Sequence, residues 1–260
     1  LTSHITEHMG KPRLGDLRPP SLWPSDASVV LTDALGETYV EGSCRRHTFL
    51  RYARDKFIFD NQVNSNYKSL VDELYSIQIP PERYMRWIWT AGNLFEEFII
   101  EQAKQAGVYV ASQVQVVIPG WNIVGKLDLI VENPTTGGLI AQEVKSVYGY
   151  PAEKEVLGTA SMRARKQLGK PKTSNLMQAA LYDWHMKPRY PKLEATRLLY
   201  GDRGTGKDAE FNVRTQLEKD GQIHIYYRGV APFVTPEVDS GITIDNILSQ
   251  YEYILKHHEE

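Results

Sequence analysis

The sequence predicts a mixed α/β protein, with a mixed central sheet flanked by helices and an additional helical part at the N-terminus. Helical spacing of apolar residues prevails in much of the first hundred residues, whereas strand-like alternation begins after Gly107 and resumes after a further helix. The 260 residues, 42% of them hydrophobic, suffice to bury one core. We therefore expect one compact unit, made of an N-terminal arm and helical part (residues 1–90) and a core (residues 91–260).

The elements before Gly107 are predicted to be an arm and three helices. Residues 1–25 are rich in Pro and Gly, which indicates an arm or loop and not a packed element. Helices are predicted over residues 43–59, 67–77 and 91–106. Pro80 and Pro81 break the chain between the second and third helices. The third is the clearest, because its apolar residues share one side and Gly107 provides a stop.

Beyond Gly107 the pattern predicts a three-stranded meander, a helix and further strands. Strands are predicted over residues 113–118, 126–131, 139–147, 195–200, 211–217 and 223–230, and helices over residues 174–186 and 244–260. Pro119-Gly120 and the segment 133–138 are the expected turns of the meander. Thr173 or Ser174 is the expected cap of the helix that follows. From residue 91 to 200 the predicted order is helix, three strands, helix, strand.

Composition indicates a soluble intracellular protein. No apolar run is long enough to cross a bilayer, and the first residues lack the pattern of a secretory signal. The single cysteine, Cys44, excludes an internal disulfide and favours a reducing compartment. We expect Cys44 to be a buried or half-buried free thiol.

The formal net charge of −2 argues against a protein that coats nucleic acid through its overall charge. Phosphate binding therefore requires local basic stretches. One runs from Cys44 to Lys56. The second contains no acidic residue and carries Arg163, Arg165, Lys166, Lys170 and Lys172. Each stretch alone is equally well explained as a solvated face or loop.

Three charged residues interrupt the apolar strands of the meander. Asp128 lies among apolar residues of the second strand, where a charge is costly to bury without a cationic partner. Glu143 and Lys145 are two residues apart in the third strand and therefore project from the same face. If the turn at residues 133–138 pairs the two strands, Asp128 comes close to Glu143. Two carboxylates and one ammonium then share a face.

Such a cluster suits Mg²⁺ or Mn²⁺, which prefer carboxylates, waters and phosphate oxygens as ligands. A divalent cation offsets the repulsion between the carboxylates and promotes phosphodiester hydrolysis by activating water and stabilising negative charge. Lys145 can orient the attacking water or neutralise the scissile phosphate. The alternative is a buried Glu143–Lys145 salt bridge beside an unrelated Asp128.

An Asp followed by Glu-X-Lys on the next strand resembles the signature of the PD-(D/E)XK nucleases, and the predicted order of elements is similar to their restriction-endonuclease-like core. The resemblance implies a metal-dependent DNA nuclease in which Asp128, Glu143 and Lys145 are catalytic. It also implies that Asp128, Glu143 and Val144 hold Mg²⁺ or Mn²⁺.

Two further features are similar to the RecB-like branch of these nucleases. Gly92 is followed four residues later by Glu96, where RecB-like members often carry a metal-binding His, so the resemblance implies a catalytic and metal-binding role for Glu96. Glu97 is the competing candidate, although Glu96 lies nearer the apolar face of the helix. Gln178 and Tyr182 match the Gln-X-X-X-Tyr motif, which helps to hold DNA, and lie four apart on one helix face.

The segment from Leu35 to Tyr52 resembles the N-terminal region of CRISPR-associated and viral RecB-like exonucleases, in which four cysteines bind an iron–sulfur cluster. With Cys44 alone, no iron–sulfur cluster is expected in this chain. The resemblance implies an exonuclease acting on DNA with free ends in recombination, repair or foreign-DNA processing. It further implies the cytoplasm of a bacterium, archaeon or phage-infected host cell, with a homo-oligomer or a recombination or repair complex as the expected assembly. The rival hypothesis is a nucleic-acid-binding protein that keeps the nuclease fold but has little activity.

Residues 201–208 (GDRGTGKD) resemble the phosphate loop of nucleotide hydrolases. No Ser or Thr follows Lys207, and a strand is predicted next where a helix is required. A hairpin turn with exposed basic residues is the better prediction. The seven histidines show no zinc-ligand spacing with cysteine.

Overall fold

The computed structural model describes residues 19–32, 35–76 and 83–257. In these ranges the helices are α1 (Arg45–Asn61), α2 (Lys68–Ser76), α3 (Arg83–Gln105), α4 (Tyr150–Val156), α5 (Ala160–Ala164), α6 (Thr173–Met186) and α7 (Ile244–His257). The strands are β1 (Ser28–Thr32), β2 (Thr38–Gly42), β3 (Tyr109–Ile118), β4 (Ile123–Glu132), β5 (Leu139–Val147), β6 (Leu193–Asp202), β7 (Asp208–Leu217), β8 (Ile223–Ala231) and β9 (Val238–Thr243). Two short 3-10 helices span Pro24–Asp26 and Ser65–Tyr67.

Strands β3 to β9 form one seven-stranded sheet in sequence order, and β1 pairs with β2 in a separate antiparallel ribbon. Within the large sheet only β5 and β6 run parallel. Their connection contains α4, α5 and α6, since a parallel pair needs a crossover. The protein is therefore a mixed α/β fold with a mixed sheet flanked by helices, which confirms the coarse fold prediction.

Helix α6 forms the centre of the core. Its buried residues include Leu176, Met177, Ala179, Ala180 and Leu181. They belong to the same apolar cluster as Tyr200 of β6 and Phe211 of β7, whose rings meet edge to face with centroids 6.0 Å apart. Full burial of a Leu, Met or Phe side chain contributes about 1.5–3 kcal/mol, so this packing fixes α6 against the sheet.

Helix α3 packs against the meander formed by β3, β4 and β5. Ala103 packs in a smaller apolar cluster with Leu129, Val131 and Ile140. The Phe95 ring lies so close to Gly201 that a Cβ added to Gly201 would be 2.0 Å from the ring. The helix ends at Gln105, and Gly107 has a φ of 72°, in agreement with the predicted stop. The predicted boundary between residues 90 and 91 lies inside α3.

The predicted meander, α6 and the later strands are confirmed, and β5 has the predicted bounds. Strands β1, β2 and β9 and helices α4 and α5 were not predicted. β2 is mostly exposed and lacks the alternation that marks a half-buried strand. β9 contains Asp, Ser and Gly, which favour turns. With seven and five residues, α4 and α5 are too short for a helical period to be read.

The prediction of an unpacked arm is wrong for residues 19–25. Leu22 is fully buried and bridges to Ile123, with its amide donating to Asn122 and its carbonyl accepting from Val124. Pro24 is buried as well. A Pro-rich segment can dock in this way because proline has no N–H, so fewer backbone donors need a partner when the segment is buried. Residues 1–18, and the predicted helix break at 80–81, lie outside the described residues.

Two local predictions also require correction. Cys44 is exposed and not buried, because it occupies the N-cap position of α1 at the surface. The N-cap of α6 is Lys172 and not Thr173 or Ser174. The Lys172 amide donates a 3.1 Å hydrogen bond to the Tyr200 hydroxyl, so a side chain of β6 anchors this end of the helix.

The segment 201–208 is the turn of the β6–β7 hairpin, as predicted. The Asp202 carboxylate accepts hydrogen bonds from the amides of Gly204 and Thr205, and Lys207 forms a 2.8 Å ion pair with Glu153. Within the described ranges, no helix combines the length and apolar character that spanning a membrane requires.

Candidate active site

The candidate site lies where β4 and β5 stop pairing. Their antiparallel ladder ends at Leu129 and Gln142, and continuing this register sets Asp128 opposite Glu143. From there on β4 pairs only with β3, while β5 continues beside β6. The two strands thus separate at the two carboxylates.

Where the ladder between β4 and β5 ends, the Asp128 side chain still joins the two strands through a hydrogen bond. Its Oδ2 accepts a 2.8 Å hydrogen bond from the amide of Val144. Asp128 also lies close enough to Glu143 for its charge to raise the pKa of the Glu143 carboxyl. Val144, predicted as a metal ligand, thus contacts Asp128 through its amide and pairs with Leu199 along β6.

Glu143 is the most constrained member of the site, with only 1% of its surface exposed. Its Oε1 accepts hydrogen bonds from Lys145 Nζ at 2.5 Å and from Gln178 Nε2 at 2.6 Å. Its Oε2 is buried without a hydrogen-bond partner in the described part of the chain. A buried acceptor without a partner costs about 1–3 kcal/mol, so this oxygen favours a proton or a cation beside it.

The electrostatics of the site follow from this burial. Desolvation, supported by the Asp128 charge, outweighs the opposing Lys145 ammonium and raises the pKa of Glu143 to about 8. Desolvation likewise raises the pKa of Asp128. For Lys145, burial lowers the pKa, but the neighbouring Glu143 and Asp128 carboxylates reverse that effect and leave the pKa raised. One ammonium therefore does not compensate the two carboxylates.

Glu96 approaches the same region from α3. It is half-buried, accepts a hydrogen bond from Gln113 Nε2, and has a raised pKa because of desolvation and, next in size, the Asp128 charge. Glu97 is exposed. Gly92, one turn earlier, would bring a Cβ to 3.8 Å from Ser146 Oγ, so this turn of α3 lies against the end of β5.

Gln113 was missed by the sequence prediction. The β3–β4 register sets it opposite Asp128, and its φ of 53° is unusual for a non-Gly residue. Its side chain holds Glu96. A single Gln at the start of a predicted strand carries no signal of this backbone conformation.

Among the residues that the structure describes, no group of three or more His, Cys, Asp or Glu side chains is arranged to hold a metal ion. Glu96 is engaged by Gln113, and Glu143 Oε1 is engaged by Lys145 and Gln178. The Asp128–Glu143 pair nevertheless fits a hard divalent cation, because the two residues lie opposite each other where the β4–β5 ladder ends and Glu143 Oε2 accepts no hydrogen bond from the described residues. Waters or phosphate oxygens would complete the ligand set.

Gln178 and Tyr182 of α6 connect the two separating strands. Gln178 contacts Glu143 on β5, and Tyr182 Oη donates a 3.0 Å hydrogen bond to the Lys126 carbonyl on β4. Gln178 also lies 3.5 Å from the Tyr182 hydroxyl. Both residues are buried, so the pair contacts the site from inside the protein.

The basic stretch before α6 is an anchored surface loop. Leu168 is buried at its centre, and the Lys170 amide donates a 2.8 Å hydrogen bond to the Glu155 carbonyl. Arg163 lies over Phe233, 5.7 Å from the ring centroid, and Lys172 is half-buried. The exposed cations of the loop are Arg165, Lys166 and Lys170.

The basic stretch in α1 is largely occupied by partners inside the protein. Arg51 pairs with Asp26 at 2.6 Å, and Arg54 pairs with Asp55 at 2.7 Å. Arg45 donates to Gln250 on α7. For these three arginines, contacts within the protein account for the positive charge without a bound phosphate.

No protein-family model matches this chain. No curated protein matches it either. A solved structure, described as "Crystal structure of SSO0001", is similar over 98% of this chain and 82% of its own, with 15% sequence identity and a TM-score of 0.43. A likeness this distant carries no functional argument, so the function is inferred from the residues of the site alone.

Proposed function

We propose that this protein is a metal-dependent DNA nuclease of the PD-(D/E)XK superfamily, RecB-like branch, built as one unit on a restriction-endonuclease-like core. The observation that carries the proposal is the buried Oε2 of Glu143, which accepts no hydrogen bond from the described part of the chain, in a residue that the β4–β5 register sets opposite Asp128. A purely structural Glu143–Lys145 salt bridge does not require a second carboxylate or a raised carboxyl pKa. A cation site requires the carboxylate pair.

In this proposal Asp128 and Glu143 hold Mg²⁺ or Mn²⁺. When bound, the cation lowers the pKa of water and supplies positive charge to the scissile phosphate. Lys145, whose side chain is 28% exposed, contacts Glu143 from the solvent side and neutralises charge on the phosphate. Gln178 fixes the orientation of Glu143 through its 2.6 Å hydrogen bond.

The substrate in this proposal is DNA with free ends. The exposed cations of the loop before α6 (Arg165, Lys166 and Lys170) supply contacts to backbone phosphates, which give affinity without reading sequence. Helix α6 begins directly after this loop and carries Gln178 into the site. The loop is therefore in a position to guide a strand toward Glu143.

The test is degradation of end-labelled linear DNA and of covalently closed circular DNA with Mg²⁺ or Mn²⁺. We expect loss of linear DNA, abolished by chelator, by Glu143→Ala and by Lys145→Ala. Glu132→Ala, at an exposed carboxylate in the last position of β4, is the matched control and should retain full activity. Cleavage that survives both site substitutions would refute the assignment.

Metal binding is measured separately by thermal unfolding with and without Mn²⁺. A ligand that binds only the folded state raises the midpoint, so we expect stabilisation that Asp128→Asn and Glu143→Gln abolish. DNA binding without cleavage and without metal stabilisation would instead support the rival, a binding protein on a nuclease fold.

A further inference from the structure

A cavity that is open to solvent lies directly beside the candidate site. Its volume is about 640 Å³, and Gln178 and Tyr182 form part of its wall. The same Gln178 contacts Glu143, and the same Tyr182 contacts the Lys126 carbonyl. The cavity is thus one side chain away from the proposed catalytic carboxylate, and its volume is within the range of small-ligand sites.

Another part of the wall is an aromatic side chain in a fixed position. Trp23 lines the cavity and is 48% exposed. The Arg51 guanidinium lies over its ring, 4.1 Å from the centroid, and is itself held by Asp26 at 2.6 Å. The Trp23 amide donates to Asp26 at 2.8 Å, and its carbonyl accepts from Tyr251 at 2.7 Å. One face of the indole is therefore covered, and the residue cannot easily withdraw.

The cavity also depends on close packing at its floor. A Cβ on Gly125 would lie 2.6 Å from Pro24 and 2.8 Å from the Tyr182 hydroxyl, so only glycine lets these groups approach β4. Lys126, the next residue, is exposed, lines the cavity and forms no ion pair in the described ranges. A cation and an aromatic face thus border one cavity.

We infer that this cavity holds a nucleotide next to the scissile phosphate, with its base stacked on Trp23 and its phosphate near Lys126. This inference rests on the proposed nuclease function and names a binding residue for it. Stacking on an aromatic ring accepts every base, and a lysine contacts phosphate without sequence preference. The arrangement suits an unpaired nucleotide, since a base within a duplex cannot stack on a side chain.

The experiment measures binding of a 12-nucleotide oligothymidylate that carries 2-aminopurine at one position near an end, in chelator so that no cleavage occurs. Fluorescence quenching reports stacking, and the label is moved along the strand in separate oligonucleotides. We expect Trp23→Leu to weaken binding roughly fivefold or more and to remove the quenching, and Trp23→Phe to retain most of both. Trp89→Leu, at an exposed tryptophan outside this cavity, should bind as the wild type does.

The outcomes separate this inference from the nuclease proposal. If the wild-type protein cleaves DNA and Trp23→Leu binds and quenches like wild type, the stacking assignment is wrong and the nuclease proposal stands. If no cleavage is found with any metal but binding and quenching depend on Trp23, base stacking on Trp23 stands, and the nuclease proposal fails together with the placement beside a scissile phosphate. Equal loss of binding in Trp23→Phe and Trp23→Leu, with unchanged melting temperatures, would also contradict stacking.

Discussion

Replacing Glu143 by Gln should change the pH dependence of stability in a defined direction. The folded state raises the pKa of this carboxyl from 4.5 to about 8 because it is desolvated. Between these values the folded protein binds a proton that the unfolded chain has released. The free energy of unfolding therefore falls as pH rises, by at most about 1.4 kcal/mol per pH unit.

The full effect over about 3.5 pH units has a ceiling of about 5 kcal/mol. Gln is close in shape to protonated Glu and does not titrate, so Glu143→Gln lacks this slope. The substitution also removes the anionic partner of Lys145, whose side chain is 28% exposed, and this loss offsets part of the gain. We expect the free energy of unfolding of the variant to exceed that of the wild type by about 2 kcal/mol at pH 8.5, and the two values to differ little at pH 5.

The assay is urea unfolding in chelator at half-unit steps from pH 5 to pH 8.5. Glu132→Gln, at the exposed end of β4, serves as the matched control and should keep the wild-type slope. Added Mn²⁺ should reduce the wild-type slope, because a cation favours the ionised carboxylate. An identical pH dependence in wild type and Glu143→Gln would refute the burial argument on which the site depends.

Three further outcomes follow from other contacts. Gly125→Ala should destabilise the protein by about 1–3 kcal/mol, because the added Cβ overpacks against Pro24 and Tyr182. Gly92→Ala should stabilise α3 by about 0.5–1 kcal/mol, because its Cβ would meet its nearest neighbour only at 3.8 Å and Ala favours a helix. Thermal unfolding of both variants distinguishes the packing effect from the backbone effect. Arg165→Ala should weaken the binding of DNA of any sequence and should lower the slope of log affinity against log salt concentration by about 1, since one phosphate contact is lost. Arg54→Ala, in the paired stretch of α1, should bind DNA as the wild type does in the same titration. His224 has a raised pKa, chiefly through its hydrogen bond to Asp220. Its contribution to the free energy of unfolding is therefore complete below pH 6.5 and is lost as pH rises through the folded-state pKa. In the urea series His224→Gln should not show this loss of stability, and a wild-type pH dependence in that variant would contradict the prediction.

The parts of the fold and site that the sequence predicts are those set by local pattern. Glu143 and Lys145 share a face because they are two residues apart in a strand, and their 2.5 Å contact agrees with that expectation. Asp128 was expected near Glu143 because one turn connects their strands. The Gln178–Tyr182 pair follows from the period of a helix.

The remaining features depend on contacts between distant segments or on backbone geometry. Leu22 pairs with Ile123 across a hundred residues, so the docking of residues 19–25 left no local signal. The positive φ of Gln113 is a property of the folded strand and not of its residue type. Cys44 has the type of a buried residue, yet its N-cap position at the surface determines its exposure.

The hydrogen bond from Tyr251 to the Trp23 carbonyl joins residues that are 228 positions apart. Because such a contact closes a very long loop, it forms only when distant parts of the chain have come together. The wall of the cavity beside Glu143 is thus completed only when α7 has docked. Removing or displacing α7 would take the Tyr251 hydroxyl away from the carbonyls of Trp23 and Pro24, so modifications of this protein for expression or labelling should preserve the contact.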